Sequence, residues 1–197
     1  MQAVSERSTL AETLWPAQSA PRWRRTVLLA IGGSLLLTLS AKVNVPFFPV
    51  PMTMQTFAVV LIGAAFGWRL GAATVLLYLA QGALGLPVFA GTPEKGLGLA
   101  YMMGPTGGYL IGFAVAAALV GWLAERGWDR SFVWLTAAMF IGHVVISAYG
   151  LAWLGSSMGL AKAWAAGIAP FYYATVFKTL LAAACLWAGW SIANNRG

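Results

Sequence analysis

The chain is short of carboxylates. Only five Asp and Glu side chains occur in 197 residues. They fall at Glu6, Glu12, Glu94, Glu125 and Asp129, outside every long apolar run. A paired-carboxylate acid/base site is therefore excluded from the apolar segments. Cys185 is the single cysteine, so neither an intramolecular disulfide nor a thiolate metal site is open to it. His143 is the single histidine, too few for a histidine metal set. No G-x-x-x-x-G-K-[ST] occurs, which removes the phosphate cradle of a P-loop ATPase. Twelve Lys and Arg give a net charge of +7, but they stand singly at the edges of apolar runs rather than massed on one face. That arrangement reports membrane orientation and gives no footprint for nucleic acid.

What is abundant is apolar. Hydrophobic residues make up 60% of the chain, charged ones 9%, and the mean hydropathy is +0.76, which describes an integral membrane protein. Residues 1–21 lack apolar periodicity and are expected to form a flexible cytoplasmic tail ahead of a single membrane domain, 22–197. Arg22, Arg24 and Arg25 precede an apolar run that could be the h-region of a signal peptide. The long preceding tail and the absence of a polar mature start favour a first transmembrane helix, about Thr26 to Ala41. Thr56–Phe66 and Leu70–Gln81 follow, separated by G-W-R-L-G, and each is too short to cross a hydrocarbon core of about 30 Å at 1.5 Å per residue. Their flanking loops must then enter the membrane profile, where irregular backbone is tolerated only if buried by protein or lining a cavity. Gly107–Ala124, Ser131–Leu154 and about Ile168 to Ile192 complete six helices, with an interfacial helix expected near Lys162 and Trp164. The fold class is thus all-α.

Two loops break this pattern. K-V-N-V-P-F-F-P-V-P-M-T-M-Q-T, 42–56, cannot be helical, because each proline removes a donor and holds its predecessor extended. Residues 82–106 carry six glycines and three prolines. With both termini cytoplasmic, Arg7, Arg22, Arg24, Arg25, Arg69, Arg126, Arg130 and Arg196 fall inside, and Lys42, Lys95 and Lys162 outside. Both proline/glycine loops then lie on the outer face, and 42–56 is expected to be a substrate lid.

Lys178 stands well inside the last span, where an ammonium group needs water, polar side chains or a substrate anion beside it. Thr175 and Thr179 lie within about one helical turn of it, and Tyr172 stands six residues before it. Gly155-Ser156-Ser157-Met158-Gly159 fits G-x-S-x-G, but no strand precedes it and no acidic partner is near. His143 and Ser147 share a helix face, and a lone histidine there reads as a packing or gating residue. Gly63, Gly67 and Gly71, then Gly108 and Gly112, and Ala30 with Ser34, repeat at spacing four and allow close helix approach.

Three longer stretches are more particular: P-V-P-M-T-M-Q-T-F (49–57), G-L-P-V-F-A-G (85–91) and G-P-T-G-G-Y-L-I-G-F (104–113). With them the chain, from about Ala41 to Ala184, resembles the BioY family, the biotin-specific S component of energy-coupling factor (ECF) transporters. The resemblance implies a six-helix S-component bundle in a bacterial plasma membrane, with its outer loops closed over biotin as transported ligand. It implies no cofactor, no enzymatic step, and partners in a transmembrane coupling protein and ATPase subunits. Lys178 matches a family lysine near the vitamin, although members carry an Asp where this chain has Thr175. Polar contacts are expected from Lys178, Gln55, Thr53, Tyr109 and Thr106, and apolar cover from Phe47, Phe48 and Phe89. Ala30 and Ser34 are expected to dock on the coupling protein. The competing readings are a small channel or facilitator, possible as a homo-oligomer built on the glycine faces, and a membrane-embedded hydrolase using His143, Ser156 or Ser157.

Overall fold

Helix boundaries follow the breakers. In the computed structural model, which describes residues 8–16, 21–46 and 48–195, α1 (Leu10–Leu14) precedes α2 (Arg22–Lys42), which starts directly after Pro21. Beyond it the proline stretch forms a two-stranded antiparallel ribbon, β1 (Asn44–Val45) against β2 (Met52–Thr53), with Asn44 opposite Thr53. Then come α3 (Gln55–Ala83), α4 (Gly98–Met102) and α5 (Gly107–Ala124). A 3-10 turn at Trp128–Arg130 leads into α6 (Phe132–Met158), α7 (Leu160–Gly167) and, after a second turn at Ala169–Phe171, α8 (Tyr172–Asn194).

The α3 segment is folded back on itself. Gly67 has φ +78°, a left-handed conformation that ends one helical arm and starts another. Were α3 straight, Gln55 and Tyr78 would stand about 34 Å apart. Instead Gln55 Nε2 donates to the Tyr78 hydroxyl at 2.7 Å. The two arms are the two short helices expected from the sequence, and Gly67 is their hinge. Among the described residues five helices are apolar and long enough to cross a membrane, and the fold in α3 turns one of them into two, which makes six.

Around α5 the others assemble. Its apolar window is 67% buried against 28% for α2, which makes α5 the centre and α2 the rim. The contact with α3 is backbone to backbone: a Cβ added at Gly63 would sit 2.6 Å from the Ala117 carbonyl oxygen.

Charge separates along the bundle axis. Arg22, Arg24 and Arg25 at the start of α2, Arg69 at the α3 bend, and Arg126 and Arg130 between α5 and α6 share one end. Lys42, Lys95 and Lys162 lie at the other, with the ribbon and the 85–106 loop. Arg7 and Arg196 lie outside the described residues.

The basic end carries a feature the sequence reading did not anticipate. Within residues 1–21, expected to be a tail, α1 is closed by a capping box: Thr9 Oγ1 accepts from Glu12 N at 3.3 Å and Glu12 Oε2 accepts from Thr9 N at 3.2 Å. Leu10 is buried in the core cluster that contains Val60, Val120, Leu186 and Trp190. Arg130 Nη2 donates to the Ser8 carbonyl at 3.0 Å, and Arg25 pairs with Glu12 at 3.7 Å. These contacts give a short helix the tertiary support it lacks by itself.

Beside α1, Asp129 is buried. Its Oδ2 accepts from Trp190 Nε1 at 3.0 Å, and Arg130, stacked 3.6 Å over the Trp190 ring, pairs with Oδ1 at 3.5 Å. Burial outweighs these contacts and lifts the carboxyl from 3.8 to about 6. The folded state therefore binds this proton more tightly than the unfolded state does, so the group's contribution to stability is greatest below about 3.8 and declines as pH rises through about 6. Thermal unfolding in detergent between pH 5 and 8 should accordingly show a steeper loss with pH for the wild type than for Asp129→Asn, which keeps an acceptor for Trp190. Parallel profiles would show that Asp129 does not titrate in this range.

Candidate functional site

The end opposite the arginines holds a cavity of about 370 Å³, within the range of small-molecule sites. Its roof is the β1–β2 ribbon and the 85–106 loop, and its walls are α5, α6 and α8. The proline stretch supplies Val50, Pro51, Met52 and Thr53 to the lining. The second loop supplies Ala90, Tyr101 and Thr106.

A hydrogen-bond chain fixes the roof. Thr53 Oγ1 accepts from Gln55 N at 3.2 Å and donates to Gln55 Oε1 at 3.1 Å. Gln55 Nε2 reaches the Tyr78 hydroxyl, which donates to the Val88 carbonyl at 3.0 Å. One chain of contacts thus joins the ribbon, both arms of α3 and the second loop. Lys42 Nζ donates to the carbonyls of Phe89 and Thr92, each at 3.1 Å, and Tyr101 donates to the Ala90 carbonyl at 2.8 Å. Glycine and proline remove the regular ladder from this loop, and these side chains restore partners to its carbonyls.

Lys178 is the charged group in the lining. Its Nζ donates to the Thr53 carbonyl at 2.6 Å and lies 3.5 Å from Thr56 Oγ1. No carboxylate lines the cavity among the described residues, so the ammonium is solvated by neutral oxygens only. Thr175, one turn earlier on α8, also lines the cavity. On α6, His143 Nδ1 lies 3.0 Å from the Met139 carbonyl and 3.1 Å from Thr179 Oγ1, whose own proton goes to the Thr175 carbonyl. Both neighbours accept, so Nδ1 carries the ring proton and Nε2 is an acceptor. Nε2 is buried and has no hydrogen-bond partner among the described residues.

Of the residues expected at the site, Lys178, Gln55, Thr53, Tyr109, Thr106 and Thr175 all line this one cavity. Tyr109 spends its hydroxyl on the Gly167 carbonyl at 2.7 Å, which fixes its ring as wall. The phenylalanines differ. Phe48 is 94% exposed and is not among the residues that line the cavity. Phe89 lies behind the lining, stacked on Tyr101 at 5.0 Å and edge-on to Tyr78 at 5.4 Å. Phe47 lies outside the described residues. The aromatic cover comes instead from Tyr101, Phe113, Phe140 and Phe171. Phe113 follows Tyr109 by four residues on α5, a spacing that marks the same face. His143 and Ser147, paired on one face in the sequence, both enter the lining.

Two further expectations are corrected. Ser34 does not face outward with Ala30: it is 1% exposed and its hydroxyl donates to Gln81 Oε1 on α3. The outward face of α2 is built from Val27, Leu28, Ile31, Leu35 and Leu39. The serines of the G-x-S-x-G stretch lie in the last turn of α6, where Ser156 donates to the Trp153 carbonyl and Ser157 to the Leu154 carbonyl. His143 is thirteen residues earlier on that helix, about 20 Å along its axis, so it cannot act as their base.

A model of the BioY family matches residues 11–195. The probable biotin transporter BioY of Pyrococcus horikoshii is 40% identical over 147 residues, covering 75% of this chain and 85% of the relative. The biotin transporter BioY of Thermotoga maritima is 38% identical over 149 residues, with the same coverage, and that of Rhodobacter capsulatus 37% over 173 residues, covering 80% of this chain and 88% of its own. The crystal structure of the S-component for biotin from an ECF-type ABC transporter matches with a TM-score of 0.75, over 85% of this chain and 91% of that one. At 20% identity that likeness shows a shared S-component fold. With a family model spanning nearly the whole bundle and relatives this similar over most of their length, the chain belongs to the BioY family.

Proposed function

We propose that this chain is the biotin-binding membrane subunit of a vitamin uptake system. The observation that carries the reading is Lys178: an ammonium group at the wall of a ligand-sized apolar cavity with no carboxylate beside it. Biotin combines an apolar bicyclic body with a ureido group and a carboxylate, and the cavity offers an apolar wall with a few fixed polar groups of both kinds. Gln55, Thr53, Thr56, Thr106 and Thr175 are the neutral partners available to it. Binding is the chain's own contribution. With no P-loop in its sequence, ATP-driven uptake falls to a coupling protein and ATPase subunits. Both termini and the arginine end lie in the cytoplasm of a bacterial plasma membrane, so the roof faces outward.

A conducting channel is less well supported, because the core cluster around Val60, Val120, Leu135 and Leu186 fills the bundle on the arginine side of the cavity. Purification in detergent should recover biotin at about one per chain, as one ligand-sized cavity requires. Hydrogen exchange over 44–54 and 85–106 should slow when biotin is added, since both segments roof the cavity. A protein that retains no biotin, with loop exchange indifferent to the vitamin, would remove the reading.

A further inference from the structure

The cavity's lining is buried under the roof and exposed between α6 and α8. Its roof and inner wall are buried: Tyr101 is 7% exposed, and Val50, Thr53 and Ala90 are likewise enclosed. On the side between α6 and α8 the lining residues are also surface residues. Val144 is 51% exposed and Tyr172 65%, and Phe140, Val176 and Trp164 share this double position. The two helices touch at His143 and Thr179, and the gap lies on the roof side of that contact. Val144 sits twelve residues into the 27-residue α6, about 18 Å from its start, so the gap opens at hydrocarbon depth. Trp164 and Tyr172, aromatic residues of the kind found at membrane interfaces, mark its outer end.

We propose that in the ligand-free protein an acyl chain of a bilayer phospholipid enters the cavity through this lateral gap, and that ligand binding expels it. An apolar cavity does not hold ordered water without polar partners. Here the mouth is lined by apolar and aromatic side chains continuous with the lipid-facing surface. Hydrocarbon in the mouth removes that surface from any contact with water and fills a space that would otherwise lack packing partners. The charged group does not oppose entry, because Lys178 Nζ is directed to the Thr53 carbonyl under the roof. The headgroup stays at the interface marked by Trp164 and Tyr172, and the chain alone enters. Ligand exchange then includes exchange with the membrane, and apolar extensions on a ligand can project through the gap.

Displacement by biotin rests on the function proposed above, whereas acyl-chain entry does not. The full chain in nanodiscs containing a phospholipid with a diazirine midway along one acyl chain tests both. Irradiation should give adducts within residues 140–148 and 172–176, and adducts at Leu35 and Leu39 on the exposed face of α2 as reference. Biotin at about ten times its Kd should lower the mouth adducts about tenfold. Val144→Trp, which plugs the gap from a lipid-facing position, should lower them without biotin, and both treatments should spare α2. Mouth adducts that keep a constant ratio to the α2 adducts in Val144→Trp overturn acyl-chain entry. Where the same preparation binds biotin, a constant ratio on its addition overturns displacement. A preparation that binds no biotin sinks the proposed function instead, and the Val144→Trp arm still decides chain entry.

Discussion

Replacing Lys178 by Met should weaken biotin binding about ten- to hundredfold, the equivalent of losing one charge-assisted hydrogen bond of about 1.5 to 3 kcal/mol. Met keeps the apolar stem, so α8 and its packing should survive. The effect has two sources. The first is a donor to the ligand, since Nζ has three protons and the structure commits them only to the Thr53 carbonyl at 2.6 Å and Thr56 Oγ1 at 3.5 Å. The second is the roof itself, because the Thr53 carbonyl loses its partner and the β1–β2 ribbon loses its tie to α8. Biotin amide separates them, as it lacks the negative tail. If Lys178 meets the carboxylate, the wild type discriminates acid from amide and Lys178→Met does not. If the lysine reaches the ureido carbonyl, or acts only through the ribbon, both ligands weaken alike, and in the ribbon case hydrogen exchange over 44–54 rises even without ligand. Unchanged affinity for both ligands in a folded variant would place the lysine outside the binding function.

Much of this site was legible in the sequence because the membrane imposes a strict grammar. An apolar run too short to span, followed by glycines about a basic residue, had to be a hairpin, and Gly67 is where it turns. Lys178 was conspicuous because hydrocarbon leaves a charge few excuses. Side-chain direction was harder to read. Phe48 and Phe89 look alike in sequence, each within two residues of a proline in a loop, yet one is left exposed and the ring of the other packs between Tyr78 and Tyr101. Loop composition carries no period from which a facing can be read. Nor was α1 visible as structure: Thr9-x-x-Glu12 is a capping signature, but five residues hold only through Leu10, Arg25 and Arg130, contacts that exist only once the bundle has formed. Ser34 failed for a related reason. Small residues four apart mark close approach without saying which neighbour approaches, and in this helix the neighbour is the chain's own α3.

That correction reverses one expected result. Read as a docking residue, Ser34 should accept bulk with biotin binding intact. In the structure its side chain lies against α3, where its hydroxyl donates to Gln81, and the adjacent Gly33 leaves so little room that an added Cβ would lie 2.6 Å from Thr74 Cγ2. Trp at position 34 must push α2 off α3 and leave Gln81 Oε1 without its donor. Overpacking of about 1 to 3 kcal/mol and a comparable cost for the buried acceptor add in the same direction. Ser34→Trp should therefore yield little folded protein and no biotin binding. Leu35→Trp and Leu39→Trp, on the exposed face of the same helix, should bind biotin as the wild type does. If that face meets the coupling protein, as we propose for the partner of this subunit, those two variants lose uptake in cells that carry the full transporter while retaining the vitamin after purification. Fluorescence-detected size exclusion and a biotin titration on the three variants are sufficient to test the orientation of α2. Normal folding and binding by Ser34→Trp would show that Ser34, not the leucine face, is turned toward a partner.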